Sequence, residues 1–167
     1  MAGAAIHGST ITPVIKPNHV TYDIEEYQET RPRYCAEQDP EQPDKCLEWV
    51  PAEYGWVKTG SGSTGAKITG SVSCPASKLK IQSNNVAKVG DFTIETWVAE
   101  PPIPSDTSSK KYVNVKPFPP GNGQGTITGS NNKAYLSSSN IAMVGSQVTT
   151  HLGVTTTIAD GNTKLNF

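Results

Sequence analysis

The sequence predicts an all-β protein, and three observations support this fold class. Apolar and polar residues alternate in short runs such as Lys-Leu-Lys-Ile-Gln at residues 78–82. β-branched residues are dense between residues 148 and 158. The chain has 15 Gly, 13 Pro and only 35% hydrophobic residues, which favours a thin β core over a helical bundle. At 167 residues, one domain with long loops is expected over residues 1–167.

A short motif occurs three times and fixes the expected architecture. The pattern Ala-x-x-Gly-[Ser/Asp] covers residues 5–9, 87–91 and 142–146. The second and third copies also match backward to Ile81 and Leu136, which makes a duplication with a spacing of 55 residues. Because internal repeats indicate repeated structural units, we expect three equivalent β units.

A second element recurs before each unit. Residues 131–136 resemble residues 162–167, so we expect the chain to begin and end within a unit. In this alignment, Val72-Ser73-Cys74-Pro75 is a four-residue insertion. The three copies of the element are Ile68-Thr69-Gly70-Ser71, Ile127-Thr128-Gly129-Ser130 and the looser Ile158-Ala159-Asp160-Gly161.

Each unit is expected to be a hairpin. The polar segments 83–85 and 138–140 lie between strand-like runs, and their asparagines tolerate the positive φ angles of tight turns. Gly90-Asp91 and Gly145-Ser146 then break the backbone before a connecting segment.

Two connecting segments, at about residues 10–67 and 92–126, are expected to be long inserted loops. Their prolines disfavour continuous sheet. Within the first segment, part of residues 23–31 is a candidate short helix, and the Gly/Ser-rich residues 60–65 are a candidate flexible linker.

The repeated succession of Ile-x-Gly-Ser, strand, polar turn and Ala-x-Val-Gly-Asp resembles the PAAR-repeat proteins. Asn-Val-Ala-Lys at residues 85–88 and Asn-Ile-Ala-Met at residues 140–143 occupy the place of the family's Pro-Ala-Ala-Arg segment. The resemblance covers residues 1–11 and 68–167. It implies a small cone of three pseudo-symmetric β-hairpin repeats. The base of this cone would cap a trimeric β-helical spike, with one copy per trimer, in a phage tail or a contractile injection or type VI secretion apparatus.

The resemblance also implies where such a protein works. It would be a monomer by itself, made in the cytoplasm because no signal peptide is visible, and delivered outside the cell with the assembled apparatus. It would touch the target membrane transiently as the spike punctures it. The alternative function is a β-scaffold binding module, an adhesin or a carbohydrate-binding protein, that uses the two inserts.

Two classes of function are not expected from the sequence. The formal net charge is −1 and the 14 basic residues are scattered, so nucleic acid is not an expected partner. Gly-x-Ser-x-Gly, His-Glu-x-x-His and phosphate-loop motifs are absent from the sequence, and we therefore expect no enzymatic activity.

A structural zinc or iron ion at the apex is also implied by the resemblance. The candidate ligands are His151, His19 and His7, with Glu95 and Cys74 as secondary candidates. The alternatives are a partly exposed loop residue for His151, a turn residue for His19, a strand-packing residue for His7 and a solvated carboxylate for Glu95. Cys74 is otherwise a structural residue.

Two further groups lie in the first insert. Cys35 and Cys46 either form a disulfide after the protein leaves the cell or stay reduced. Trp49, Tyr54 and Trp56 either form the small core of the insert or serve as a recognition surface for sugar or protein.

Overall fold

The computed structural model describes residues 2–166, and it confirms the all-β fold class. These residues form fifteen strands and no helix. The strands are β1 (Gly3–Ala4), β2 (Val14–Arg31), β3 (Tyr34–Gln38), β4 (Cys46–Val50), β5 (Glu53–Ser73), β6 (Lys80–Ile81), β7 (Asn84–Asn85), β8 (Phe92–Glu100), β9 (Lys110–Lys116), β10 (Gly121–Gly129), β11 (Tyr135–Leu136), β12 (Ser139–Asn140), β13 (Gln147–Thr149), β14 (Thr155–Thr157) and β15 (Asn162–Asn166).

The described chain divides into two compact units. Unit 1 contains residues 2–20, 64–102 and 118–166, and unit 2 contains residues 21–63 and 103–117. In unit 1, the sheet has the order β14-β13-β10-β8-β5-β2. In unit 2, β2 lies between β5 and β9, and β3 pairs with β4. All the buried apolar side chains of the described chain lie in unit 1.

Three alanines of the repeated motif form a closed ring of backbone hydrogen bonds in unit 1. The Ala5 N–H donates to the Ala142 carbonyl, the Ala142 N–H to the Ala87 carbonyl, and the Ala87 N–H to the Ala5 carbonyl, each at 2.9 Å. All three alanines are fully buried. A ring in which each of three segments donates to the next has three-fold symmetry. The three motif copies of this one chain are therefore connected in the same cyclic order.

The glycine of each motif repeats the same symmetry. Gly8, Gly90 and Gly145 have φ angles of 90°, 99° and 89°, a left-handed conformation that strains any residue with a Cβ. Their N–H groups donate at 2.9 Å to Val72, Ile127 and Ile158, respectively.

These bonds correct the alignment of the second recurring element. Val72, and not Ile68, is the structural equivalent of Ile127. Val72 lies 55 residues before Ile127, which is the same spacing that separates the motifs. The four-residue insertion at residues 72–75 was therefore wrong, because the local match of Ile-Thr-Gly-Ser hid the true register.

Each copy of the motif is associated with one short hairpin. β6 pairs with β7 and β11 pairs with β12, each around a two-residue turn. The turn residues have positive φ, at 50° and 69° for Gln82-Ser83 and at 52° and 69° for Ser137-Ser138. The turns therefore begin one residue earlier than the predicted segments 83–85 and 138–140.

The third hairpin joins the two ends of the described chain. β1 pairs antiparallel with β15, and Gly3 lies opposite Asn166 as Asn85 lies opposite Lys80. This hairpin contains a shift of register between Gly3 and Ala4. We expected the chain to begin and end within one of the three repeated hairpins, and the pairing of β1 with β15 meets this expectation.

The predicted inserts are largely strand. β2 has 18 residues and β5 has 21, so the candidate helix at residues 23–31 and the candidate linker at residues 60–65 are both parts of strands. β8, β9 and β10 occupy much of the second insert. Several prolines directly flank strands, as do Pro32, Pro51 and Pro101, and a proline there removes no hydrogen bond from the strand interior. Others lie in the connecting loops, as do Pro40 and Pro104, so the number of prolines in the inserts did not exclude long strands there.

Candidate functional site

Unit 1 has an apolar cluster built with three-fold symmetry. Ala4, Val86 and Ile141, which occupy equivalent places before the three motif alanines, are buried together. Partly exposed apolar residues from all three hairpins pack against them. These are Ile6, Leu79, Ile81, Ala134, Leu136 and Leu165. We refer to the three hairpins and this cluster as the hairpin face.

Backbone bridges join the three hairpins of the hairpin face, and each hairpin also has strand edges. Neighbouring hairpins are joined by single antiparallel bridges, Ala4 to Met143, Ile6 to Val86 and Lys88 to Ile141. Each hairpin is itself a two-stranded sheet. Short edge strands of this kind offer backbone groups to a strand of another protein.

A second candidate site surrounds Glu95, whose side chain is fully buried. The backbone N–H of His151 donates to Glu95 Oε1 at 2.8 Å, and His151 Nδ1 lies 2.6 Å from the same oxygen. The Thr93 hydroxyl donates to Glu95 Oε2 at 2.5 Å. Glu95 is therefore not the solvated carboxylate considered from the sequence.

Alternating glycines on β10 make room for this network. A Cβ at Gly121 would meet the Trp97 ring, and a Cβ at Gly123 would meet the His151 ring. A Cβ at Gly125 would meet Glu95 Oε2 and the Thr93 hydroxyl. Three glycines on one face of a strand are a sequence signal that large side chains pack there. The sequence-based interpretation assigned residues 121–123 to a loop and missed this signal.

The close contact between Gly125 and the Glu95 carboxylate predicts a loss of stability for Gly125→Ala. We expect the free energy of unfolding to fall by about 2 kcal/mol, because the new methyl group displaces the Glu95 carboxylate and the structure around it resists overpacking. Urea unfolding followed by fluorescence measures the change. The matched control is Gly129→Ala on the same strand, where the Cβ would lie 3.4 Å from the Gln147 side chain. An equal loss in both variants would contradict the claim that Gly125 makes room for the Glu95 carboxylate.

One ring nitrogen of His151 is left without a hydrogen-bond partner in the described part of the chain. Its Nε2 is buried and has no hydrogen-bond partner among the described residues. His19 is the nearby imidazole. Its ring contacts Trp97 edge-on at 4.9 Å, and burial, then Lys16, then His151 lower its pKa. His19 lies within strand β2 and is therefore not the turn residue considered from the sequence.

His7 and Cys74 contact each other elsewhere in unit 1. The Cys74 backbone N–H donates to His7 Nδ1 at 2.9 Å. The Cys74 thiol donates to backbone carbonyls, and burial, followed by the nearby Asp91, raises the pKa of this thiol to about 11. A thiol held in its neutral form acts as a structural residue.

The candidate ligands do not assemble into one metal-binding group. Among residues 2–166, no set of three or more His, Cys, Asp or Glu side chains is close enough to hold a metal ion. His151 has the carboxylate partner on Nδ1 that metal-bound histidines usually have, but His7 already uses its own Nδ1 on Cys74. The metal and its ligands therefore stay predictions from the sequence.

The raised pKa of Cys74 predicts low reactivity. At pH 8 the folded protein should be alkylated by iodoacetamide much more slowly than the urea-unfolded protein, because the thiolate is the reactive form. The ordinary value for the thiol is 9.0. Stability should therefore be independent of this thiol below about pH 9 and should fall as the pH rises from 9 to 11, where only the unfolded chain ionises. Mass spectrometry measures the labelling, and rapid labelling of the folded protein would contradict this account.

Cys35 and Cys46 form a disulfide across the β3–β4 hairpin of unit 2. This confirms the pairing considered from the sequence, and it excludes the alternative of free thiols at these positions. Arg33 lies over the Trp49 ring at 4.3 Å on the same hairpin.

Loss of this disulfide should weaken unit 2. The bond closes a loop of about 10 residues, so the double variant Cys35→Ser/Cys46→Ser is expected to lose about 2 kcal/mol of unfolding free energy. Hydrogen exchange should quicken in β3 and β4 and stay unchanged in β6 and β11 of unit 1. The same exchange pattern in the variant and the wild type would contradict a stabilising role.

Unit 2 also has an exposed aromatic cluster. The Tyr27 ring stacks on Tyr54 at 6.0 Å and contacts Trp56 at 5.4 Å, and Lys111 Nζ lies 4.2 Å from the centre of the Trp56 ring. Tyr27, Tyr54 and Trp49 are each about half exposed. The interpretation of Trp49 and Tyr54 as a buried core of the insert was therefore wrong.

Residues 2–166 contain no helix suited to spanning a membrane. Comparison with protein-family models, with curated proteins and with solved structures finds no match to this chain.

Proposed function

We propose that this chain is a structural tip protein that caps the end of a trimeric β-helical spike. The apparatus would be a phage tail or a contractile injection or secretion system. One copy would bind each trimer through the hairpin face and form the leading end that punctures a membrane. In this proposal the protein has no enzymatic activity.

The ring of hydrogen bonds among Ala5, Ala87 and Ala142 carries the proposal. A homotrimer presents the same chain end three times around its axis, and a single chain matches all three ends only if its own surface repeats three times. Strand addition then satisfies backbone groups that would otherwise be exposed at the end of the β-helix.

The hairpin face has the composition that such a contact needs. Its partly exposed apolar residues surround a small buried centre, so a partner can cover them without displacing the core. Leu136 of one hairpin and Ile81 of the next are equivalent in sequence and in pairing. Two of the three chain ends of the spike would therefore meet the same contact.

Hydrogen exchange with a triple-stranded β-helical trimer as the probe tests this function. Capping should slow exchange at residues 79–86 and 134–141 and leave unit 2 unchanged. Leu136→Asp should abolish binding because it places a charge on the hairpin face. Ile94→Asp is the matched control, since Ile94 is 58% exposed on β8. Slowed exchange confined to unit 2, or equal binding by both variants, would contradict the proposal.

The aromatic cluster of unit 2 supports a second candidate function, a binding module for carbohydrate. Exposed tyrosine and tryptophan rings present flat apolar surfaces with polar edges, which suit sugar rings. Tyr27→Ala/Tyr54→Ala should then abolish binding to a glycan array, while Tyr135→Ala in unit 1 should not. If no glycan binds the wild-type protein, this second function is excluded.

A further inference from the structure

The hairpin face has a set of lysines with the same three-fold arrangement. Lys78 directly precedes Leu79, Lys133 directly precedes Ala134, and Lys164 directly precedes Leu165. Leu79, Ala134 and Leu165 all pack on the buried apolar cluster. Lys78 and Lys133 each lie two residues before the first strand residue that pairs across the hairpin, Lys80 and Tyr135, whereas Lys164 lies within β15 between Asn162 and Asn166, which both pair with β1. The three lysines therefore occupy equivalent positions in the sequence of the three hairpins, each next to a residue that packs on the apolar cluster.

All three lysines are available to a partner. Each is exposed, and none forms a salt bridge with another described residue. Unit 1 contains seven lysines and only four acidic residues. Three of the four acidic residues are already engaged: Glu95 with His151, Asp91 with Lys88, and Asp160 with Thr10. The positive charge of the hairpin face is therefore not neutralised within unit 1.

One of these lysines, Lys78, lines a cleft on the hairpin face. It has a volume of about 350 Å³, and its lining includes Lys78, Leu136 and Val86 together with Lys88 and Asp91, which form an ion pair at 2.9 Å. A side chain that enters this cleft would meet apolar groups, the unpaired Lys78 ammonium and an Asp91 carboxylate that Lys88 already neutralises. A carboxylate on a short aliphatic stem fits that combination.

We propose that Lys78, Lys133 and Lys164 recognise one carboxylate on each of the three chains of the spike. This inference rests on the proposed capping function and adds the chemistry of the partner. The spike would end in a rung with one Glu or Asp per chain, at positions related by its three-fold axis. Three equivalent ion pairs would also set the rotation of the cap on the spike, because at other angles the ammonium groups and the carboxylates would be too far apart to pair.

A charge exchange tests this inference. The probe is a designed triple-stranded β-helical trimer made in three versions, with Glu, Gln or Lys at one position of its last rung. We expect wild-type protein to bind the Glu version about 30-fold more tightly than the Gln version, at about threefold for each exposed pair. The variant K78E/K133E/K164E should lose binding to the Glu version and gain binding to the Lys version.

The control variant K45E/K67E/K116E changes the net charge equally at exposed sites outside the hairpin face, and it should bind like the wild type. If all three trimers bind with equal affinity, the lysine inference is overturned and capping stands. If no trimer binds, capping and the inference both fall. If the lysine variant instead loses only binding to phosphatidylglycerol vesicles, the lysines recognise a membrane and the inference is overturned.

Discussion

Glu95→Ala is expected to lower the free energy of unfolding by about 4 kcal/mol, the largest loss of any single change considered for this protein. The carboxylate accepts from the Thr93 hydroxyl and the His151 backbone and contacts His151 Nδ1. Because Glu95 is fully buried, water does not replace these bonds when the side chain is removed. Urea unfolding followed by circular dichroism measures the loss.

Two variants separate this network from a general effect of removing charge. Glu95→Gln keeps the shape and one oxygen acceptor, and we expect it to lose about half as much. Glu100→Ala lies on the same strand at a partly exposed position and should change stability by less than about 0.5 kcal/mol. Similar losses for Glu95→Ala and Glu100→Ala would show that the buried network contributes nothing.

Ala87→Leu is expected to cost about 3 kcal/mol, because the added carbons enter a fully packed ring. Ala87 has no exposed surface, and its neighbours in the ring, Ala5 and Ala142, have none either. Each backbone in the ring is fixed by one donated and one accepted bond, so the segments move apart only by breaking them. Thermal and urea unfolding both measure the change.

The symmetry of the ring sharpens this prediction. Ala5→Leu and Ala142→Leu should cost the same as Ala87→Leu to within about 1 kcal/mol, since all three sites have the same surroundings. Ala76→Leu is the matched control at an exposed position of unit 1 and should be nearly neutral. A large loss at only one of the three ring positions would contradict three-fold equivalence.

The repeated parts of this fold could be predicted from the sequence because they depend on local residue choices. Each motif glycine adopts a positive φ, and the position that follows it places a Ser or Asp oxygen on the backbone three residues earlier, as Asp91 does on the Lys88 N–H. Those requirements recur in every copy and leave the same letters in the sequence. The hairpins could therefore be predicted, whereas the Cys35–Cys46 disulfide was only one of two alternatives that the sequence left open.

The unrepeated parts were not within reach for physical reasons. The long strands β2 and β5 carry few apolar alternations, and their neighbours in the sheet determine their conformation. The burial of Glu95 depends on Gly70 and Gly125, which lie on different strands far away in sequence. No pattern in the residues next to Glu95 in the sequence indicates that its side chain is buried. The surroundings of a side chain that packs against strands distant in sequence are known only from the structure.

The mass of the complex with a triple-stranded β-helical trimer is the most direct test of the central claim. Multi-angle light scattering behind size-exclusion chromatography should give one chain of this protein for each trimer, because one three-fold hairpin face uses all three chain ends at once. A ratio of three chains per trimer would mean that each chain end binds separately, and that result would contradict the cap.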